Sequence, residues 1–577
     1  MSTKAPPSQT RDTTPSTTTT TSTLGNPEAN AQILQDNQVI KEETENSDSG
    51  VSGDNDLLGD TSPGGFTLLM TVVALAMSMF LVSLDMTIVA TAIPKITDEF
   101  GGIEDEGWYG SAFFITLGSF QAAWGKVYKY FPLKISFLIS IFIFEVGSLI
   151  CGKFFSSSTI CVAPSSIALI VGRAITGVGG AGISSGAFTI IALSAPPKQR
   201  PAYIAILGAS YGIAAAIGPL VGGAFTSNVT WRWCFYINLP IGGLAAGIIL
   251  LFYRAPPPLP FLDALLKEKI LQMDLGGTLL LLSALVCYVL ALQWGGISLP
   301  WSDSKVVGTL VGFAVLLIIY GLVQWIQKER AAMIGRLFRR NVIITMIYID
   351  LLAGTFFLLV YYLPIYFQVV SDVSAAQSGI RNLPLILAQS VATVVSGVTL
   401  SKYPYPQPFL LAGAALTAIG SGLLYTLEVN TRSGKWIGYQ LLAGIGIGWC
   451  FQVPVVTAQA SVKPEDLPSV TAMVLTVQTI GGSVFVSAGQ SAMVNVLLNV
   501  LRGETSTVDA SKVAMTGATE LRDVFTSEQM SFILDAYMQG LQAAFLVAVV
   551  ASCLATVVCM AIRWTKLSGA VTAASAA

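Results

Sequence analysis

Histidine is absent from all 577 residues. That absence removes a Ser-His-Asp triad, a His-ligated metal site and a histidine proton relay from consideration. The seven cysteines are scattered without a CxxC pair, so zinc or an iron–sulfur cluster is not expected. No G-x-x-x-x-G-K-[ST] loop occurs, so nothing points to ATP as an energy source. Charge is also scarce. Lys, Arg, Asp and Glu together make up 11% of the chain, and the net charge of −2 says nothing about partners. No constellation supports an enzyme, no cofactor is implied, and nothing suggests nucleic acid.

What the chain has instead is apolar length. Hydrophobic residues reach 53%, and the mean hydropathy is +0.68, far from a soluble domain. Fourteen helical spans of about 20 apolar residues are predicted, making an all-α membrane protein. They group as six spans in 66–254, two inserted spans within the linker 255–341, and six more in 342–564. A polar tail (1–65) and a short tail (565–577) flank them. The even count places both termini on one side. With the N-terminus inside, inner loops and C-terminus carry 17 Lys+Arg and outer loops 10, so both termini are expected in the cytoplasm. The first tail is rich in Ser, Thr and acids and is expected to be disordered. Ser47, Ser49 and Ser52 sit among acids there, although a passive solvated tail is the plainer reading. No apolar h-region precedes the first span, so a cleaved signal peptide is not expected.

Residues 208–243, GASYGIAAAIGPLVGGAFTSNVTWRWCFYINLPIGG, are the most informative stretch. Gly208, Gly212, Ala216, Pro219 and Gly223 fall in one sector of a helix, with Gly218 and Gly222 completing the pattern. Such a stripe lets another helix approach closely, and the proline bends its own helix. This order of Gly, Pro and paired Gly resembles the antiporter motif of the major facilitator superfamily, in its fourteen-helix drug:proton antiporter branch. LDMTIVATAIP around Asp85 and GRAITGVGGAGI around Arg173 resemble the family's first-helix and fourth-helix motifs, and TRSGKWIGYQLLAGIGIGWCFQVPVVTAQA (431–460) resembles fungal members. The likeness covers 66–564. It implies a 6 + 2 + 6 major facilitator fold, substrate held near the midplane between two halves, and a fifth helix at the interface that biases the cycle toward export. One loop departs from the family pattern G-x-L-x-D-r-x-G-r-k. GKVYKYFPLK (125–134) has Lys129 where the Asp would stand and Pro132 where the second Gly would, which puts an acid-dependent latch in doubt. KFFSSSTI, between Cys151 and Cys161, resembles an insertion in a normally short connection. The outer compartment would permit a disulfide there, but two free thiols, or a gene-model error, also fit.

Charges within spans are costly unless paired or hydrated. Asp85 shares its helical face with Thr71, Ala74, Ser78 and Ala92, and Arg173 shares its own with Gly177, Gly180 and Ser184. The resemblance implies that both helices line the cavity and that Asp85 and Arg173 serve proton coupling; the alternative is a structural ion pair. Glu145 in the third span is expected to hydrogen-bond a neighbouring helix. Asp350, a third of the way into the ninth, either binds a proton, in a coupling role, or substrate, or sits in hydrated cytoplasmic space. Tyr361, Tyr362, Tyr366, Gln368, Trp449, Phe451 and Gln452 are candidates to bind substrate, since aromatic walls with a few amides suit an apolar organic molecule. The expected activity is proton-coupled efflux of a drug, toxin or secondary metabolite by a monomer in the plasma membrane. The alternatives are uptake or vacuolar transport of an iron-chelate or amino acid, or a receptor that has lost transport.

Overall fold

The computed structural model describes residues 65–100, 106–152, 166–255, 265–503 and 521–564, with 508, 513, 566 and 567 as isolated positions. The tail 1–64 with Ser47, Ser49 and Ser52, the stretch 153–165 with Cys161 and the KFFSSSTI segment, the greater part of the 504–520 loop and all but two residues of 565–577 lie outside them. Among the described residues fourteen long helices follow one another: α1 Gly65–Ile88, α2 Glu106–Tyr130, α3 Leu133–Gly152, α4 Ser166–Ser194, α5 Arg200–Asn228, α6 Asn238–Phe252, α7 Leu275–Trp294, α8 Ser304–Gln327, α9 Arg340–Ile365, α10 Ala375–Lys402, α11 Gln407–Tyr425, α12 Ser433–Cys450, α13 Leu467–Leu501 and α14 Ser527–Cys559.

Thirteen of these, some continued by short turns, are long and apolar enough to cross a membrane. The exception, α2, is explained by its surroundings. From Trp108 to Tyr130 no residue is exposed, because α4 and α13 cover two sides and α7 a third. A helix that touches little lipid can carry Gly, Ser, Gln and Lys. At the other extreme, α8 is the most apolar and the most exposed, as expected where lipid replaces water as solvent.

The packing repeats itself. In the first six helices α1 packs on α5 and α6, α2 on α4, and α3 on α4 and α6. Advancing every number by eight gives α9 on α13 and α14, α10 on α12, and α11 on α12 and α14, and these pairings are also present. The two groups meet along two seams, α5 with α10 and α2 with α13, which the same repeat exchanges. The α7–α8 pair packs outside, against α2 and α13. Prolines mark the bends. Pro219, Pro364 and Pro384 lie inside α5, α9 and α10, and past Pro364 the ninth helix widens into a π turn, Tyr366–Val370.

Candidate functional site: a cavity between two helical halves

A cavity lies between the two groups. On α1 Met79, Val82 and Met86 line it, and on α2 Phe114, Leu117 and Gln121; both sets are spaced i, i+3, i+7, the signature of one helical face. Ser184 and Phe188 of α4, Tyr211 of α5, Phe357 of α9, Phe451 and Gln452 beyond α12, and Leu475, Gln478 and Thr479 of α13 complete the wall. None of these side chains is an acid, a lysine or an arginine. Phe114 meets Phe357 edge-on across the two halves, ring centroids 6.2 Å apart. The Thr479 hydroxyl donates to Gln121 Oε1 at 2.9 Å. Gln452 Oε1 and Gln478 Oε1 are buried with no partner among the described residues, so a ligand donating a hydrogen bond to either would relieve a desolvation cost.

Of the seven side chains expected to bind substrate, Phe451 and Gln452 line this cavity, and Tyr361 stands behind the wall with its ring 6.4 Å from that of Phe114. The other four point elsewhere. Tyr362 donates to the Val486 carbonyl and Tyr366 to the Glu428 carbonyl, each at 2.9 Å. Gln368 reaches Ser378 from the π turn, and Trp449 packs on Phe409 between α11 and α12. The cause is helical phase. Phe357 and Tyr361, four apart, face inward, whereas Tyr362 and Tyr366 are rotated about 100° from them. Phe357 and the α2 residues were legible from their spacing but were not singled out.

Asp85 and Arg173 form an ion pair, both fully buried. Asn238 Nδ2 donates to Asp85 Oδ1 at 3.0 Å and also contacts Ser148 Oγ at 3.1 Å. Arg173 Nε donates to the Tyr109 carbonyl at 2.9 Å, and its guanidinium lies 4.6 Å from the Phe113 ring centroid. Although α1 and α4 both line the cavity, this pair does not. Asp85 turns from Val82 and Met86 toward α3, α4 and α6. Asp350 is half-buried against Gly481 of α13, with no ion pair or side-chain hydrogen bond among the described residues, and it is neither in the cavity wall nor in the Asp85 network. Glu145 does not make the expected hydrogen bond: both carboxyl oxygens are buried against α6 and α1 without a described partner.

The α5 stripe divides into two faces. A Cβ at Gly208 would strike Gln452, and one at Gly212 would strike Ser390 and Gln389, while Pro219 lies against Gly379; these positions serve the seam with α10 and the second half. Gly218 and Gly222 instead accept Thr87, Ile88 and Thr91 at the end of α1. A Cβ at Gly223 would meet nothing within 4 Å, so this glycine is not part of the contact that its sector suggests.

The doubt over a latch is corrected by an acid from the other half. Lys129 Nζ lies 2.9 Å from Asp466 Oδ1, both side chains buried. Arg336 NH1 is 2.7 Å from Asp466 Oδ2 and its Nε 2.9 Å from Glu329 Oε1. These bonds to Asp466 and then Glu329 push the Arg336 guanidinium further above its already high value, so the cation is permanent. Lys126 Nζ donates to the Glu329 carbonyl, and Gly125 packs against Pro468 and Ala472. The end of the molecule that carries these basic loops is therefore sealed, with the linker 328–339 built into the seal. At the opposite end Arg232 NH2 pairs with Glu99 Oε1 at 2.6 Å and Trp231 Nε1 donates to Glu99 Oε2 at 2.8 Å. The Arg232 hydrogen bond outweighs burial, and with help from Trp231 it holds the Glu99 carboxyl below its ordinary 4.5.

The comparisons agree with this architecture. The profile of the Major Facilitator Superfamily matches residues 75–486. The chain is 46% identical over 511 residues to "MFS-type transporter grgE" of Penicillium sp, covering 88% of this chain and 89% of that one. It is also 46% identical over 510 residues to "Probable efflux pump gsfJ" of Penicillium aethiopicum, covering 88% and 90%. A solved structure of the proton:xylose symporter XylE shares the fold at a TM-score of 0.57 and 14% identity, over 86% of this chain and 96% of that one. These proteins are transporters, not enzymes. With a cavity between two repeated halves and a family profile spanning both, this multi-pass membrane chain belongs to the Major Facilitator Superfamily, among its fungal transporters and efflux pumps.

Proposed function

We propose that this protein exports uncharged hydrophobic small molecules, such as a drug, toxin or secondary metabolite, in exchange for protons. The observation that carries the reading is the cavity wall: aromatic, thioether and amide groups, with no acid, lysine or arginine. Such a wall holds a flat apolar molecule with a few hydrogen-bonding groups better than a sugar or a carboxylate. The names of several relatives, including "MFS-type efflux pump MFS1" of Trichophyton rubrum at 40% identity, support the outward direction. So does the close packing of α5 on the second half, with Gly208 against Gln452 and Gly212 against Gln389 and Ser390 of α10.

Coupling falls to Asp85 and Arg173. A proton taken up by Asp85 removes the charge that holds Arg173, and its loss restores the pair, so the network has two arrangements that a proton gradient can drive in alternation. Across an energised plasma membrane each inward proton contributes roughly 2.3 kcal/mol per 100 mV besides its concentration gradient. Positive-inside bias puts the sealed, basic end and both termini in the cytoplasm, with the protein acting as a monomer. Asp350, remote from this network in the packing, serves as a separate acid in the second half rather than as a member of the coupling pair. The test is metabolite profiling of cells and medium with and without the gene. Deletion raises the intracellular level of an uncharged hydrophobic compound and lowers tolerance to it; cells whose profile is unchanged, or which lose the compound from inside, would contradict export.

A further inference from the structure

Asp85 is fully buried and faces away from the cavity, so a proton must reach and leave it by another way. Its neighbours define that way. On α1 one turn toward the basic end from Asp85 is Leu81; on α6 one turn the same way from Asn238 is Gly242; on α3 one turn the same way from Ser148 is Glu145. Glu145 reaches Gly242, where an added Cβ would strike its Oε1, and Leu81 Cδ1 lies 3.3 Å from that same Cβ position. The carboxyl thus lies one helical turn, roughly 5 Å, from the Asp85–Asn238–Ser148 network, on its basic side. Among the elements packed around it, α1 contributes Asp85 as the titratable group and α4 contributes Arg173, already engaged by Asp85. The α6 residues that face this site are Asn238 and Gly242, and on its own helix Cys151 lies beyond Ser148. Both Glu145 oxygens are buried without a hydrogen-bond partner among the described residues. An ionised carboxylate left so would be very costly, whereas a neutral acid is far less so.

We propose that Glu145 is the acceptor that takes the proton from Asp85 on its way to the cytoplasm, along a path inside the first six helices and separate from the substrate cavity. This rests on the proton-coupled reading above. In the step, the O–H bond of the Asp85 acid breaks and an O–H bond forms on the Glu145 carboxylate. Asp85 becomes an anion and pairs with Arg173. The arrangement described here, with Asp85 paired and Glu145 alone, is the state just after that transfer.

Two measurements on the full-length protein test it. Infrared spectra at neutral pH should contain the C=O stretch of a protonated carboxylic acid that is missing from Glu145→Gln; identical spectra would overturn the proposal. In proteoliposomes, with the neutral aromatic dye Nile red as probe, Glu145→Gln should slow export driven by a pH gradient by about tenfold or more. Its KM for the dye and its dye exchange without a gradient should stay as in the wild type, and Glu145→Asp should recover part of the rate. Glutamine has the shape of the protonated acid, so a purely structural role would leave all these rates alone. Full-rate gradient-driven export by Glu145→Gln from pH 5 to 8 would overturn the relay. A wild-type protein that does not couple dye movement to the gradient would instead sink the exporter reading, while the infrared comparison would still decide the state of Glu145.

Discussion

Asp466→Asn keeps the shape of the side chain at the sealed end and removes the charge that joins Lys129 to Arg336. Asp466 is 1% exposed and Lys129 6%, so this half of the cluster counts as buried. Removing one member of a buried pair costs about 3–5 kcal/mol. Arg336, at 46% exposure, adds little because water screens it. The lower figure, about 3 kcal/mol, is therefore the better one, and it applies only to the conformation in which α2 and α13 meet at this end. Moving the open–closed equilibrium by that amount changes the population ratio by about 150-fold. Spin labels on Lys198→Cys and Tyr403→Cys, in a background without native cysteines, report the separation of the two halves there by pulsed electron resonance. The variant should shift the distance distribution from mainly short to mainly long. A double-mutant cycle with Lys129→Met should recover most of the loss as coupling between the two positions. An unchanged distribution in Asp466→Asn would refute the latch and the reasoning behind it.

Other consequences are equally open to test. Asp85→Asn leaves Arg173 buried without its anion, so it should abolish gradient-driven transport while the protein still reaches the membrane, and Arg173→Lys should retain part of it because charge survives without the planar fork; an Asp85→Asn protein that still concentrates substrate would exclude this residue. Gly212→Leu should block the transport cycle, since overpacking costs about 1–3 kcal/mol even where neighbours yield, whereas Gly223→Leu should transport normally; equal loss in both, measured as dye efflux, would contradict the two-faced stripe. The Glu99 carboxyl is held low by Arg232, so its contribution is present above the unfolded value near 4.5 and is lost as pH falls through the lower folded value. Hydrogen exchange in Ile93–Phe100, corrected for intrinsic rate, should therefore be flat from pH 7 to 5 and rise only in stronger acid, and Glu99→Gln should remove that step.

Much of the fold was legible because a membrane imposes simple rules. Long apolar runs gave the helices, even α2, whose polar residues are permitted by its burial. Small residues in order and two intramembrane charges gave the family. What escaped is what depends on contacts far apart in sequence. Lys129 and Asp466 are 337 residues apart, and nothing local says that the missing acid of the 125–134 loop is supplied by the start of α13. Aromatic content alone could not say which tyrosines of α9 face inward; the phase set by Phe357 does. Gly223 shares a sector with Gly212 on an ideal helix, but Pro219 lies between them, and the two glycines meet different surroundings. Glu145 was expected to find a partner because buried acids usually do, and the absence of one is visible only once α6 and α1 are in place.

The central claim is that an inward proton gradient drives an uncharged hydrophobic compound out through this protein. The most direct measurement uses oriented proteoliposomes with the cytoplasmic end facing the outer medium, Nile red as cargo and pyranine as a lumenal pH probe. With the lumen acidic, the account predicts that dye accumulates in the lumen while protons leave it, that reversing the gradient reverses both, and that Asp85→Asn does neither. Dye that moves in the same direction as the protons, or at a rate indifferent to the gradient, would contradict it.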